Sequence, residues 1–297
     1  MKIGILANLT KTNTQDVALR LVHDLEARGH GCIVEAELAG RIDAAEGLPA
    51  AEICAEAELI LSLGGDGSVL RAVNAAAHLE TPVLGINMGR VGFLSEVPPT
   101  EIAGLLDAID SGAFTLDRRS MLQAAVQPGG KDPAGFRYAS FNDVSITRDK
   151  YACIVRLDLF VQDEFAGTVV GDGVLVSTPT GSTAYALSCG GPLVHPSLDA
   201  LLVTPISGHV AGMRPMVVPG GSVIRICPHD AHRELDLLVD GKFGARISGN
   251  DEAIVRRAPF QAVLAHIKPY RYFDIVRSKI YGENGGPRDQ KGTGCKE

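Results

Sequence analysis

The chain has 297 residues, 45% of them hydrophobic and 21% charged, the balance of a soluble globular protein with a full core and, at ~150 residues per domain, about two domains. Its 28 Lys and Arg stand against 35 Asp and Glu, a net charge of −7, which argues against a general nucleic-acid binder, because phosphate backbones are held by clustered cations. No run of 18 apolar residues exists and "MKIGILANL" is too short for a signal-peptide core, so neither a membrane partner nor secretion is expected and the compartment predicted is the cytoplasm.

In chain order, "KIGILA" reads as a buried strand, and Val17, Leu21, Val22 and Leu25 then recur at helical spacing up to a stop at Gly29. "CIVEA", "ELILSL" and "TPVLGIN" continue the strands. Helical patterns fill "SVLRAVNAAAHL" and "PTEIAGLLDAIDSG" between and after them. Alternating strands and helices predict a parallel sheet with helices on its faces. Near residue 117 the style changes: "RYASFNDVSITR", "CIVRLDLFVQDEFAGTVV", "GVLVSTP", "SVIRICP", "LDLLVDG" and "QAVLAHI" all read as strands, predicting a β-rich, sandwich-like domain. The exception is "GSTAYALSCGG", which suits one helical turn or a short helix. "YFDIVRSKIYG" returns to a helical pattern. The expected organisation is therefore an α/β domain over 1–117 plus 271–282, a β-rich domain over 118–270, and a disordered tail over 283–297.

Six scattered cysteines (Cys32, Cys54, Cys153, Cys189, Cys227 and Cys295) form no ligand-like grouping and read as free thiols in a reducing compartment. His229 and His232 lack further ligands at zinc spacing and read as a solvated loop.

The chemistry concentrates in "LILSLGGDGSVLRAV". A strand, a glycine turn and a helix starting near Ser68 form a unit in which Gly64, Gly65, Gly67 and Ser68 offer backbone amides and a helix N-terminus to phosphates. The unit is neither a P-loop nor a dinucleotide fingerprint. A plain turn is the competing reading, since glycine and aspartate are also ordinary turn residues. Asp66, an acid where an anion should sit, makes sense as the phosphate's neighbour: a carboxylate that accepts the proton of an attacking alcohol in phosphoryl transfer and helps hold magnesium.

"GGDGSVL", "GINMGRVGFLSEV", "FNDVSI" and "GDGVLVSTPTGSTAYALSCGGPLVHPSLDALLVTP" together resemble the signatures of the NAD kinase family, in order and spacing, and weaker similarity extends to "VDGKF" and "IVRSKIYG". The resemblance implies ATP-dependent phosphorylation of the 2′-hydroxyl of the adenosine ribose of NAD. It implies a Rossmann-like α/β domain and a β-rich NAD-binding domain with the dinucleotide between them. ATP is the implied donor, Mg2+ the ion carried by the nucleotide without a fixed protein site, and a homodimer or homotetramer the assembly. Position by position, Asp66 would be the proton acceptor with Gly67 beside it. Asn142 and Asp143 would bond the nicotinamide-side ribose, Asp172 would touch the nicotinamide end, and Thr183, Ala184, Tyr185 and Ser188 would line the adenine and its ribose.

Those residue types suit the task. Adjacent Asn and Asp can accept from a ribose diol, and Tyr185 has a flat face for a base with a polar tip. The chain departs from the family pattern at Asp143, where Glu is typical, at Lys242, where Gln is common, and at Gly208-His209, where Pro-His is commoner. Lys242 and His209 remain candidate substrate contacts, and surface roles compete for both. Cys153 replaces a basic or imidazole side chain. His195 reads as a structural hydrogen-bonding residue. Two other classes share features with this chain: a lipid kinase of the diacylglycerol or sphingosine type, which has the same GGDG loop, and a non-catalytic NAD-binding sensor.

Overall fold

The computed structural model describes residues 1–42, 46–89, 92–130, 135–149, 154–208, 213–229, 234–248 and 250–282, which divide into two units. The first comprises Met1–Ala72, Val83–Leu116 and the segment from Ala265 onward. Its frame is a parallel sheet of β1 (Lys2–Ala7), β2 (Gly31–Glu35), β3 (Glu46–Leu48), β4 (Leu59–Gly64), β5 (Val83–Asn87) and β6 (Ser95–Val97), in the spatial order β3-β2-β1-β4-β5-β6. The helices are α1 (Thr14–Ala27), α2 (Ala36–Ile42), α3 (Ala50–Glu56), α4 (Asp66–Ala76) and α5 (Ile102–Ser111).

The alternation along β1 decides which helix covers which face. Ile3, Ile5 and Ala7 join Val17, Leu21 and Leu25 of α1 and Leu105 and Ile109 of α5 in one core. The intervening Gly4 faces the other way, and a Cβ there would stand 2.4 Å from Ile53 of α3, so only glycine lets that helix sit on the strand. α1 stops at Gly29, whose φ of 83° turns the chain back so that His30 N reaches Leu25 O. The strand order reverses between β1 and β4, so the loops leaving those strands open at the point where open α/β sheets take ligands. The GGDG turn is one of those loops.

The second unit takes Val73–Pro82 and Asp117–Leu264. Its strands are β7 (Thr115–Gln127), β8 (Tyr138–Ser140), β9 (Asp143–Arg148), β10 (Val155–Val161), β11 (Glu164–Gly171), β12 (Gly173–Ser177), β13 (Ala200–Ile206), β14 (Met216–Pro219), β15 (Val223–Pro228), β16 (Leu235–Val239), β17 (Lys242–Ile247) and β18 (Glu252–His266). One antiparallel sheet runs β14-β13-β12-β9-β16-β17. The other places β10 between β11 and β15, with β18 on the far side of β15 and β7 paired to β18. Apolar residues of both sheets, such as Val144, Ile146, Val174, Val176 and Leu237 with Leu157, Leu159, Ile224 and Val255, form a single core, which is the signature of a sandwich. α6 (Tyr185–Ser188) is the short helix expected in "GSTAYALS", and α7 (Tyr272–Lys279) returns the chain to the first unit.

Three readings of the sequence need adjustment. α2 and α3 carry no helical signal in the sequence, because seven residues with two buried positions each are too short to establish a period. The strand-like "CIVRLDLFVQDEFAGTVV" holds two strands, β10 and β11, paired as a hairpin that turns on Gln162 and Asp163 at φ 53° and 65°. α4 starts at Asp66, two residues before Ser68, because Gly65 O accepts from Ser68 N and Val69 N and closes the first turn there. The tail over 283–297, along with Cys153, His232 and Cys295, lies outside the described residues.

Candidate active site

In the first unit, β4 passes into α4 through Gly64 and Gly65. A Cβ on Gly64 would stand 2.0 Å from Ser68 Oγ, so the tight turn requires glycine. Asp66 is thereby the first helical residue, where the helix dipole favours a carboxylate. The connection from β5 to β6 is far too short for a crossover helix and folds over this carboxylate. Phe93 N donates to Oδ2 at 2.8 Å, while Leu94 N at 3.1 Å, Ser95 N at 3.2 Å and Ser95 Oγ at 3.2 Å donate to Oδ1. Gly92 is what permits the contact, since a Cβ there would stand 1.8 Å from Oδ1. Gly65 and Gly67 have open space around them. Asp66 is therefore a buttressed carboxylate at the mouth of a glycine turn, next to backbone that can approach an anion.

In the second unit, β9 and β12 pair antiparallel with Asp143 opposite Ser177, which sets "FND" beside "STPTGST". Thr178 locks the two: its Oγ1 donates to Phe141 O at 2.7 Å and accepts from Gly181 N at 3.0 Å. Gly181 lies so close that a Cβ would stand 2.2 Å from Asn142 O. Beneath the turn, the buried Arg119 guanidinium bonds Asp117 and reaches Thr180 Oγ1 at 3.3 Å.

One residue organises the FND loop, and no local motif in the sequence marks it as such. Asp240 begins the two-residue Asp-Gly turn of the β16–β17 hairpin, with φ 47° and Gly241 at 74°. Its Oδ1 accepts from Asn142 N at 2.8 Å and Asp143 N at 3.1 Å, and its Oδ2 from Phe141 N at 3.0 Å and Asn74 Nδ2 at 2.6 Å. Ser140 Oγ lies 2.7 Å from Oδ1 as well. Lys242, the residue singled out in this segment, is exposed instead. The available signal was the Asp-Gly dipeptide, which announces a turn and hides the carboxylate's reach.

Asp143 is only 5% exposed, and among the described residues no side chain or amide donates to its carboxylate. Burial, reinforced by the neighbouring Asp240 charge, pushes its pKa up to about 7. Tyr185 is 44% exposed; burial of its hydroxyl, then the Cys189 thiol with which it shares a hydrogen bond, and then the charges of Asp143 and Asp172 raise its pKa. Asp143, Asp172 and Tyr185 thus share one electrostatic environment. Asp172 is also engaged by Arg148, whose Nε lies 3.0 Å from Oδ1. Thr183 and Ala184 are half-buried and Ser188 is exposed on the same turn. His195 Nδ1 pairs with Ser197 Oγ at 2.7 Å, and His209 lies outside the described residues.

Family models for the ATP-NAD kinase N-terminal domain and the ATP-NAD kinase C-terminal domain match residues 3–114 and 141–267. An NAD kinase of Moorella thermoacetica is 38% identical over 287 residues, covering 97% of this chain and 91% of its own length. The chain belongs to the ATP-NAD kinase family. Another member, the NAD kinase of Geobacter sulfurreducens, is 35% identical over 283 residues, covering 95% of this chain and 99% of its own. Among solved structures, yeast NADH kinase complexed with NADH superposes with a TM-score of 0.86 at 25% identity, covering 98% of this chain and 90% of its own. An Archaeoglobus fulgidus NAD kinase in complex with ATP superposes at 0.73 and 23% identity, covering 95% and 100%, a likeness of fold. These matches support the NAD kinase reading and neither the lipid kinase nor the sensor. No helix among the described residues is long and apolar enough to cross a membrane.

Proposed function

We propose that this ATP-NAD kinase family member converts NAD and ATP into NADP and ADP, with Asp66 as the proton acceptor. The 2′-oxygen of the adenosine ribose forms a bond to the γ-phosphorus, the bond from that phosphorus to the β–γ bridging oxygen breaks, and the hydroxyl proton passes to Asp66. The observation that carries this reading is the buttressed Asp66 carboxylate beside the open glycine turn at the strand-order reversal. The amides of Gly64, Gly65 and Gly67 are the donors assigned to the ATP phosphates, while the amide of Ser68, expected to join them, is already committed to Gly65 O. Asn142, Asp143, Asp172, Thr183, Ala184, Tyr185 and Ser188 are assigned to NAD, with Lys242 and His209 as further candidate contacts. The shared environment of Asp143, Asp172 and Tyr185 supports their grouping.

Magnesium enters this reading on the nucleotide, where it neutralises the transferring phosphoryl group. Among the described residues no cluster of three His, Cys, Asp or Glu side chains could hold it, and Asp66 has one oxygen to share, because Oδ1 already accepts three hydrogen bonds. Assembly as a homodimer or homotetramer and a cytoplasmic location complete the proposal. Cys32, Cys54, Cys189 and Cys227 stand in no disulfide, which suits a reducing compartment.

The test is a matrix of purified protein with NAD or NADH crossed with ATP or polyphosphate, scored for NADP or NADPH, together with Asp66→Asn. The variant is expected to lose about a hundredfold or more in turnover while still binding NAD. Near-normal turnover in Asp66→Asn would remove the base assignment; no product in any well would remove the reading.

A further inference from the structure

The two oxygens of Asp66 are not equivalent. Oδ1 receives Leu94 N, Ser95 N and Ser95 Oγ, whereas Oδ2 receives Phe93 N alone. Each carboxylate oxygen has about two lone-pair directions, so Oδ1 is saturated and Oδ2 keeps one open. Ser95 supplies two of the three donors on Oδ1, and its hydroxyl is the only side-chain donor among the four.

The position of Ser95 is itself tightly determined. It is fully buried and pairs with Gly85 of β5, where a Cβ would stand 2.9 Å from Ser95 Cα and 3.0 Å from Leu94 O. From the other side, the next residue, Glu96, accepts from His266 Nδ1 at 2.9 Å and Ile267 N at 3.2 Å. Gly85 and Gly92 are therefore the two places where "GINMGRVGFLSEV" must lack a side chain: one lets the loop close on β5, the other lets it close on Asp66.

We propose that Ser95 is a positioning residue for phosphoryl transfer, fixing Asp66 through Oδ1 so that Oδ2 is the oxygen that takes the proton of the attacking hydroxyl. The inference rests on Asp66 being the proton acceptor. A carboxylate with both oxygens free would rotate about its last torsion and present a lone pair to the hydroxyl only part of the time. The Ser95 clamp removes that freedom before substrate arrives, which is the preorganisation that general-base catalysis requires. Because the clamp acts on the reacting group and not on the dinucleotide, its loss is read in turnover.

The experiment compares wild type with Ser95→Ala, Ser95→Thr, Gly92→Ala and Asp66→Asn, measuring kcat, KM for NAD and thermal midpoint for each. Ser95→Ala is expected to lower kcat about tenfold or more, the scale of one hydrogen bond to a charged group, with KM for NAD within about twofold of wild type. Ser95→Thr, which keeps the hydroxyl, restores kcat to within about threefold. Gly92→Ala, which drives a methyl into Oδ1, lowers kcat with KM held even if Ser95→Ala proves too unstable to assay. Wild-type kcat in Ser95→Ala and Gly92→Ala, with Asp66→Asn inactive, overturns the clamp and leaves Asp66 as base. A parallel fall of kcat and rise of KM that threonine does not rescue overturns it as well. An active Asp66→Asn removes both proposals together.

Discussion

Asp143 and Asp240 are neighbouring carboxylates, and the local donors all go to Asp240: it accepts the backbone amides of Phe141, Asn142 and Asp143 itself, while among the described residues the Asp143 carboxylate accepts none. Only Asp240 has its charge compensated, so Asp143 is the member of the pair that holds a proton, with a pKa of about 7. The folded pKa lies above the unfolded carboxylate value, so the contribution to stability is fully present below ~pH 4 and is lost as pH rises through 7. Asp143→Asn should therefore gain thermal midpoint over wild type progressively from pH 4 to 7, with the difference level above that. A pH-independent difference would contradict the protonated Asp143.

The same carboxyl group, assigned to a ribose diol, links NAD binding to pH. Asp143 is already buried, so bound NAD adds little desolvation, and two hydroxyl donors favour the ionised form. Binding should release a proton below pH 7, and NAD affinity should rise as pH rises to about 7 and level off above it, with the slope absent in Asp143→Asn. Calorimetry in buffers of different ionisation enthalpy measures the released proton directly.

Asp240→Asn should harm substrate binding more than chemistry. The amide keeps the left-handed backbone that Asp tolerates at φ 47°, but replaces one acceptor oxygen with donors facing Phe141 N and Asn74 Nδ2 or the Oδ1 partners. At least one buried donor is stranded, at a cost of ~1–3 kcal/mol, and the FND loop loses its anchor. The expected result is a lower thermal midpoint and a KM for NAD raised more than kcat is lowered. Removing the charge should also bring Asp143 down towards the ordinary carboxylate range, which carbon-detected NMR titration would show.

What was legible in the sequence follows from how local each signal is. The parallel sheet could be read because Leu59–Gly64 and Val83–Asn87 are buried throughout and so appear as largely apolar runs, interrupted only by Ser62 and ended by Asn87. The GGDG turn could be read because its glycines lie within a few residues of the acid they serve. Asp240 could not, because its partners are 97 to 166 residues away and an Asp-Gly turn looks the same whether or not its carboxylate reaches another loop. The buttress on Asp66 was hidden likewise: "GFLSEV" was recognised as a signature, but nothing in it states that its amides point at residue 66.

Gly181→Ala tests whether the FND and TGST segments act as one surface. The added methyl would stand 2.2 Å from Asn142 O and 2.7 Å from its carbonyl carbon, both backbone atoms that cannot swing aside. Separating the segments should cost ~1–3 kcal/mol of stability and displace Asn142 from Thr183 to Tyr185. A KM for NAD raised severalfold with kcat little changed is the expected kinetic result. An unchanged KM would mean that the two segments do not serve the same ligand.

Arg148 bears on the choice between NAD and NADH, which differ by one positive charge on the nicotinamide ring. Asp172, assigned to that end of the substrate, is paired with Arg148 at 3.0 Å, so its negative charge is largely cancelled before a ligand arrives. A cancelled charge gives the oxidised ring little advantage over the reduced one. Both side chains of the pair are about a third exposed, at 35% and 33%, so solvent screens part of the effect. Arg148→Met keeps much of the apolar stem and removes the cation, leaving Asp172 free to attract the charged ring. The ratio of kcat/KM for NAD to that for NADH should rise severalfold, the more so at low ionic strength, where the Debye length is longer. Equal changes for both substrates would place Arg148 in structural support of β9 and remove Asp172 from the nicotinamide end.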